Sequence, residues 1–369
     1  MQKVFDQFSR CFVGGLFVFS GLIKLNDPVG TEIKLEEYFE VFAEDFGSFF
    51  LLFKPYALEL GMVLIVLEIV LGVAVFLNYK MDITTKTLLA LIIFFTFLTG
   101  YSAILDKVTD CGCFGDAIKL TPWQSFIKDI ILFGFIFHLF WYRKNYQSIL
   151  YTKEGHAVIL MVTAVCLALG IHAVKHLPFI DFRAYKIGNN IPEQMRPQEQ
   201  PIFVYTFKRL KDSELIESRD YLTDTLLYKY VEVKQLNEDK TRAKITDYSV
   251  SSVDGDDMTA MTFVGAKLLF IIYDASKSST VNLETIRKLI MELDGKVEMM
   301  VLTSSSAEQF EEFRHQNQLA IPYYFADATV LKTIVRSNPG ITLWVDGTVK
   351  GMWHHNDTPE GAEVIALTH

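Results

Sequence analysis

Residues Tyr56–Tyr79 read YALELGMVLIVLEIVLGVAVFLNY, an apolar stretch that carries two carboxylates, Glu59 and Glu68, and no basic residue. A helix needs about 20 predominantly apolar residues to cross hydrocarbon, and this stretch supplies them. Runs of similar character occur at Phe8–Leu25, Thr87–Leu105, Trp123–Tyr142 and His156–Val174, all in the first half of the chain. Buried core helices would not concentrate in this way, so the expectation is a membrane bundle of about five transmembrane helices. The first run follows Lys3 and Arg10 as a signal peptide would, but it leads into Lys24, Asp27 and Pro28 with no small-residue cleavage site and is expected to be retained.

Composition agrees. Of 369 residues, 50% are hydrophobic, and the mean hydropathy of +0.24 is high for a soluble chain. A formal net charge of -9 leaves no basic face for a phosphate backbone, which argues against a nucleic-acid partner. Basic residues in the short loops (Lys3, Arg10, Lys80, Lys86, Arg143, Lys144, Lys153) fall on one side, and the acidic stretch Glu32–Asp45 and the loop Asp106–Lys119 on the other. The positive side faces the cytoplasm. The N-terminus is therefore expected inside and everything after about His176 outside, which in a bacterium is the periplasmic side of the inner membrane.

Beyond the fifth run the pattern changes. Asn189, Asn190, Pro192, Gln198 and Pro201 read as a polar linker, and Phe203–Glu232 as a strand and helix of a small preamble. Lys267–Tyr273 is a continuous apolar run, as in a strand covered on both faces. A helical pattern over Ser279–Leu293, a strand over Val297–Thr303, a helix over Ala307–Gln316 and a strand over Ile341–Val345 turning at Asp346-Gly347 follow. Alternating strands and helices predict a layered α/β soluble domain.

The strongest chemical feature is Asp110-Cys-Gly-Cys-Phe-Gly115, in the outward loop before the fourth run. Two thiols separated by one glycine can close a small disulfide, and a strained ring is easily reduced. Cys111 and Cys113 are thus candidates for thiol–disulfide exchange; a passive bridge, a metal half-site and two unremarkable thiols are the other readings. The chain shows no second close Cys or His pair beside them to complete a zinc site, so no metal is expected. Thr121-Pro-Trp-Gln124 has the form of a capping box with proline at the first helical position. Cys11 and Cys166 sit in apolar runs, where cysteine acts as a small hydrophobe. His138, His156 and His172 form no opposed pairs of the kind haem needs. Ionisable residues inside spans are costly and mark function or register. Glu59, Glu68, Lys128 and Asp129 are candidates for an ion pair or proton handling, with Glu59 or Glu68 paired to Lys128.

The segments Phe17-Val-Phe-Ser-Gly-Leu-Ile-Lys-Leu-Asn-Asp-Pro28, Glu32 to Tyr38-Phe39, Glu68-Ile-Val-Leu-Gly72 and Asp110–Gly115 together resemble the DoxX/MauE membrane family over residues 1–150. The resemblance implies a four-helix core over 1–150, to which a fifth helix is added at 151–178. It also implies a redox-associated role with the dithiol Cys111 and Cys113, and it allows a quinone as cofactor. Residues 179–246 are then linker and preamble. Residues 247–369 resemble the thioredoxin-like fold, with Asp247–Val250 as opening strand, Lys267–Tyr273 as central strand and Asn338-Pro-Gly340 as the cis-proline turn. Where that family carries Cys-x-x-Cys, this chain has Ser276-Lys-Ser-Ser279. Ser276, Ser279 and Pro339 are therefore expected to bind a partner without forming a disulfide. The expected function is thiol–disulfide exchange supporting the folding or maturation of periplasmic or envelope thiol proteins. The alternatives are a non-catalytic envelope scaffold or a quinone-linked oxidoreductase subunit.

Overall fold

The computed structural model describes the chain apart from Met1, residues 109–111, Gln198, residues 238–240, Arg242 and His369. It divides into two compact units, Met1–Arg183 and Ala184–His369.

The first unit is all helical. Helices α1 (Gln2–Asn26), α3 (Ala57–Phe76), α4 (Met81–Leu105), α5 (Pro122–Trp141) and α6 (Thr152–Lys175) are each long and apolar enough to cross a membrane. Between the first two of these lie α2 (Pro28–Phe46) and a 3-10 segment, Ser48–Tyr56. The acidic stretch is thus helical: Asp27 caps α2 by accepting from Gly30 N, Pro28 opens it, and Leu35, Tyr38 and Phe42 are buried. Tyr38 and Phe42 pack with Leu98 and Tyr101, and Tyr38 Oη lies 2.8 Å from Ser102 Oγ. The expected capping box opens α5, with Gln124 N donating to Thr121 Oγ1 and Thr121 N to Gln124 Oε1.

Helices α1 and α3 approach closely because small residues face each other, the mode by which helices associate in lipid. A Cβ on Gly72 would lie 2.8 Å from the Gly14 carbonyl and 2.7 Å from Val18 Cγ2. Val13, Phe17, Leu71, Val75, Leu132, Ile136 and Leu139 form a buried apolar layer between α1, α3 and α5. On one side of that layer, toward the N-terminus of α1, His138 Nε2 lies 2.7 Å from Asp6 Oδ1, and Arg10 donates to Phe76 O at 2.9 Å. The end of α3 and the start of α6 meet there, with Ile149 N donating to Leu77 O at 3.0 Å. At the other end, Asn26 and Ile180 exchange two hydrogen bonds of 2.7 and 2.9 Å.

The second unit contains two sheets. β1 (Phe203–Arg209), β2 (Leu215–Ser218) and β3 (Tyr228–Gln235) form an antiparallel sheet in the order β2-β1-β3. The sequence reading of a strand and helix here is corrected to three strands. Tyr228-Lys-Tyr-Val-Glu-Val-Lys-Gln235 is rich in β-branched and aromatic residues and pairs along β1 from Phe203↔Gln235 to Arg209↔Tyr228. The supposed linker is tied down through a one-turn helix α7 (Ile191–Gln194): Ile191 N donates to Gly347 O at 2.8 Å, and Ile245 N to Gln194 O at 3.1 Å.

The larger sheet contains β4 (Ala266–Ile272), β5 (Glu298–Thr303), β6 (Tyr323–Phe325), β7 (Gly340–Val345) and β8 (Thr348–His354) in the order β6-β5-β4-β7-β8. β4, β5 and β6 are parallel, and β7 and β8 run antiparallel. Helices α8 (Leu283–Leu293), α9 (Ala307–Gln316), α10 (Ala328–Ile334) and α11 (Gly361–Ala366) complete the unit. Leu268, Phe270 and Ile272 pack with Leu283, Ile286, Leu289 and Phe310, while Trp344 is wholly buried and stacks on Phe263 and Tyr185. Covering on both faces explains the unbroken apolar run of the central strand. Asp346 and Gly347, with φ of 47° and 72°, make the β7–β8 turn. The expected opening strand at Asp247–Val250 is not formed; Ser251 instead makes isolated bridges to Asp257 and Phe325. The arrangement is consistent with a thioredoxin-like domain.

Candidate functional site

Three turns of α1 carry Phe17, Ser20 and Lys24 on one face, and α3 presents Glu68 opposite them. The Lys24 ammonium is ion-paired with Glu68 Oε1, their side chains 10% and 2% exposed. Lys24 Nζ also sits 5.0 Å from the centre of the Phe95 ring. From α5, Lys128 Nζ lies 2.5 Å from Asp129 Oδ1, and Asp129 Oδ2 accepts from Thr99 Oγ1 at 3.0 Å. The Asp129 side chain is 1% exposed. Charges so deep in a membrane bundle are tolerated only when paired and hydrogen-bonded.

These groups surround a cavity of about 80 Å³, most of whose wall is apolar. The turn Gly112–Ala117 forms another part of the wall, through Gly112 and Cys113. Its backbone closes with Gly115 N donating to Gly112 O at 3.1 Å, and Ser20 Oγ lies 2.9 Å from Cys113 O. Gly112 has φ +63°, and a Cβ there would stand 3.1 Å from Lys34 Cγ. Both observations favour glycine between the two cysteines. Phe114 is buried against Phe19, and Lys128 Nζ lies 5.6 Å from its ring centre.

Of the residues singled out from sequence, Cys113, Glu68, Lys128 and Asp129 line this one cavity. Cys111 lies outside the described residues. Glu59 is exposed at the start of α3 and is not part of the cavity. The expected pairing of Glu59 or Glu68 with Lys128 is corrected: Glu68 pairs with Lys24, and Lys128 with its neighbour Asp129. The reason is helical register. Lys24 is buried facing α3, so the close α1–α3 packing offers Glu68 a nearer cation than α5 does. Sequence reasoning missed Ser20, Lys24, Lys34, Tyr38 and Thr99 as cavity residues. The legible signal was Ser20 and Lys24 four residues apart on one face of an apolar helix.

In the second unit the Asn338–Pro339 bond is cis, and Ser279 N donates to Asn338 O at 2.9 Å. Ser276 is exposed and turned back on its own loop, its hydroxyl donating to Asp274 Oδ1 at 2.6 Å. The structure therefore brings Ser279, but not Ser276, against the proline turn. Between them, Ser278 Oγ is buried without a hydrogen-bond partner among the described residues, as is Asn338 Oδ1. Burial pushes the nearby His355 imidazole below its ordinary range. Its Nδ1 faces Asn282 Nδ2 at 3.2 Å and acts as acceptor there.

Residues 2–142 match the family model of methylamine utilisation protein MauE. Among curated proteins, Protein TlpB of Flavobacterium psychrophilum is 26% identical over 169 residues, 43% of this chain and 43% of that protein. The chain thus spans less than half the length of the curated relative that it matches. No solved structure matches the chain.

Proposed function

We propose that the chain is a membrane-anchored thiol–disulfide exchange protein in which Cys111 and Cys113 form the exchanging pair. The observation that carries this reading is the Cys113 turn forming the wall of an intramembrane cavity that also holds two buried lysine–carboxylate pairs. A scaffold has no need of such charges, which are expensive in hydrocarbon. Exchange starts with a partner thiolate attacking the Cys111–Cys113 disulfide. A mixed disulfide forms and one Cys thiolate leaves; a second partner thiol then resolves it, so the partner loses two electrons and two protons to the pair. Glu68 and Asp129 are the carboxylates available to carry protons, and Lys24 and Lys128 the cations available to stabilise a thiolate. All four cysteines (Cys11, Cys111, Cys113, Cys166) precede Ala184. The second unit therefore acts as a non-covalent docking module for envelope thiol proteins, through Ser279 and Pro339. Lys3, Arg10, Lys80 and Arg143 support an inner-membrane orientation with the N-terminus cytoplasmic and the exchanging loop periplasmic.

The cavity suits a quinone in chemistry, with Phe17, Phe95 and Leu98 for a ring and Tyr38, Thr99 and Lys128 for carbonyl oxygens. At about 80 Å³ it is smaller than the roughly 150 Å³ that accommodates a benzene ring, so a ring enters only if a side chain such as Phe94, 40% exposed, swings aside. A bound quinone would supply a two-electron, two-proton sink for the reduced pair.

The test is maleimide gel-shift labelling in intact cells with a membrane-impermeant reagent, using Cys11→Ser/Cys166→Ser protein. Two modifications that appear only after mild reductant are expected. Thiols that are labelled without reductant, or never, would leave the scaffold reading in its place.

A further inference from the structure

The 3-10 segment Ser48–Tyr56 reads Ser-Phe-Phe-Leu-Leu-Phe-Lys-Pro-Tyr, and none of its residues is buried. Phe49 and Leu52 are 62% and 65% exposed, as is Phe46 (62%) just before the segment. An exposed apolar patch of this density marks a surface that something else covers. The segment doubles back along α2: Phe50 packs on Phe42 with ring centres 5.4 Å apart, Phe53 on Phe39 at 5.9 Å, and Lys54 is ion-paired with Glu40. The two arms form a hairpin that turns at Gly47, whose φ is 124°. What α2 touches sets the level of this hairpin in the bundle. A Cβ on Gly61, about one turn into α3, would lie 3.3 Å from Thr31 Cγ2. Farther along α2, Phe42 meets Tyr101 near the end of α4, with ring centres 5.0 Å apart, and Tyr38 meets Ser102. α2 therefore runs across the ends of α3 and α4 on the side of the Cys113 turn and does not cross the membrane.

We infer that α2 and Ser48–Tyr56 form an interfacial hairpin whose 3-10 arm is bedded in the lipid acyl chains of the leaflet on that side, through Phe46, Phe49 and Leu52. Two observations single out lipid as the occupant. The 20 residues of α3 rise about 30 Å and fill the hydrocarbon by themselves, so the nine apolar residues before them have no share in the crossing and lie at its edge. The patch is also continuous with the lipid-facing surface of α4: Phe42 packs on Phe97 with ring centres 6.0 Å apart, Phe97 is 53% exposed, and Phe46 packs on Tyr101. Such elements lie about 5–10 Å into the boundary between headgroups and acyl chains. Lys54 and Tyr56 stand where an interfacial anchor is expected, just before a span begins, and the exposed Glu40 and Glu44 of α2 face the headgroups and water. Thr31, Lys34, Leu35 and Tyr38 of the same α2 line the cavity, so the bedded hairpin fixes the depth of that wall in the bilayer. The inference goes beyond the exchange reading and does not rest on it.

Spin labelling of the full chain in phosphatidylcholine vesicles tests it. In Cys11→Ser/Cys111→Ser/Cys113→Ser/Cys166→Ser protein, one nitroxide is attached in turn at Phe49→Cys, Leu52→Cys, Glu44→Cys and Val63→Cys, the last being a 63% exposed position within α3 that serves as the lipid-facing control. Relaxation by oxygen, which concentrates in hydrocarbon, is compared with relaxation by a water-soluble nickel chelate. Labels at Phe49→Cys and Leu52→Cys are expected to follow Val63→Cys, with oxygen severalfold the stronger relaxant, and Glu44→Cys to show the reverse. Each variant changes an exposed side chain and leaves Phe42, Phe50 and the Glu40–Lys54 pair in place, so the hairpin itself is kept. Nickel dominant at Phe49→Cys and Leu52→Cys would put the arm in water and overturn the proposal. Shielding of both sites from both relaxants would overturn it too, since a second copy or another protein would then cover the patch. Oxygen dominant at Glu44→Cys as well would place α2 inside the hydrocarbon, against an interfacial hairpin.

Discussion

The buried pair Lys24 and Glu68 is where sequence and structure meet most sharply. Removing one member of a buried pair leaves an uncompensated charge and costs about 3–5 kcal/mol, whereas replacing both by apolar groups of similar volume is often neutral. Glu68→Ala is therefore expected to lower the melting temperature in detergent markedly. Lys24→Met/Glu68→Met should melt close to the parent while its disulfide exchange is slowed. Equal melting of the single and double variants would refute the assignment of the pair. Glu68 was legible from sequence because a carboxylate in the middle of an apolar run has few explanations. Lys24 was not, because Lys24-Leu-Asn-Asp-Pro28 reads as the end of a span, where a lysine usually reaches for the interface. Only the packing against α3 turns it inward.

At the scale of elements, site geometry depends on how closely α1 and α3 approach. Gly72 lies one helical turn beyond Glu68, and Gly14 lies on the same side of α1 as Ser20 and Lys24. Gly72→Leu would place a side chain where the Gly14 carbonyl stands 2.8 Å from a mere Cβ. The helices must then part, and Glu68 withdraws from Ser20 and Lys24. The expected result is a protein that still inserts but melts well below the parent in detergent; an unchanged melting temperature would show that the close approach is not needed. The spans and most strands were readable because period and length report them directly. The strand and helix expected over Phe203–Glu232 prove to be strands of one sheet. Charged residues on the open face of α2 mask its buried Leu35, Tyr38 and Phe42, and β3 is exposed along most of its length, so its mixed charges leave no apolar face for a pattern to show. The Cys-Gly-Cys turn was legible as chemistry, but the cavity behind it comes from five segments that no local pattern links.

For the whole molecule, two crossings, α5 and α6, separate the turn before α5 from the chain after α6, so with both helices spanning the bilayer the two are expected on one face of it. Cysteines introduced at Lys119 and at Val281, which is 82% exposed, should be labelled by an impermeant reagent from the same side. One introduced at Tyr151, also 82% exposed, should be labelled only after permeabilisation. Labelling of Tyr151→Cys together with Val281→Cys would remove one crossing from the count.

Among the described residues, the apolar layer from Val13 and Phe17 to Ile136 and Leu139 contains no buried carboxylate, lysine or histidine between the Glu68 level and the Asp6–His138 contact. On the proposed exchange, a proton set free beside Cys113 is therefore expected to leave by the mouth of the cavity rather than to cross to the far aqueous phase. The proposed exchange is then expected to be electroneutral, neither drawing on the membrane voltage nor building it, and to run at the same rate in an energised and a collapsed vesicle.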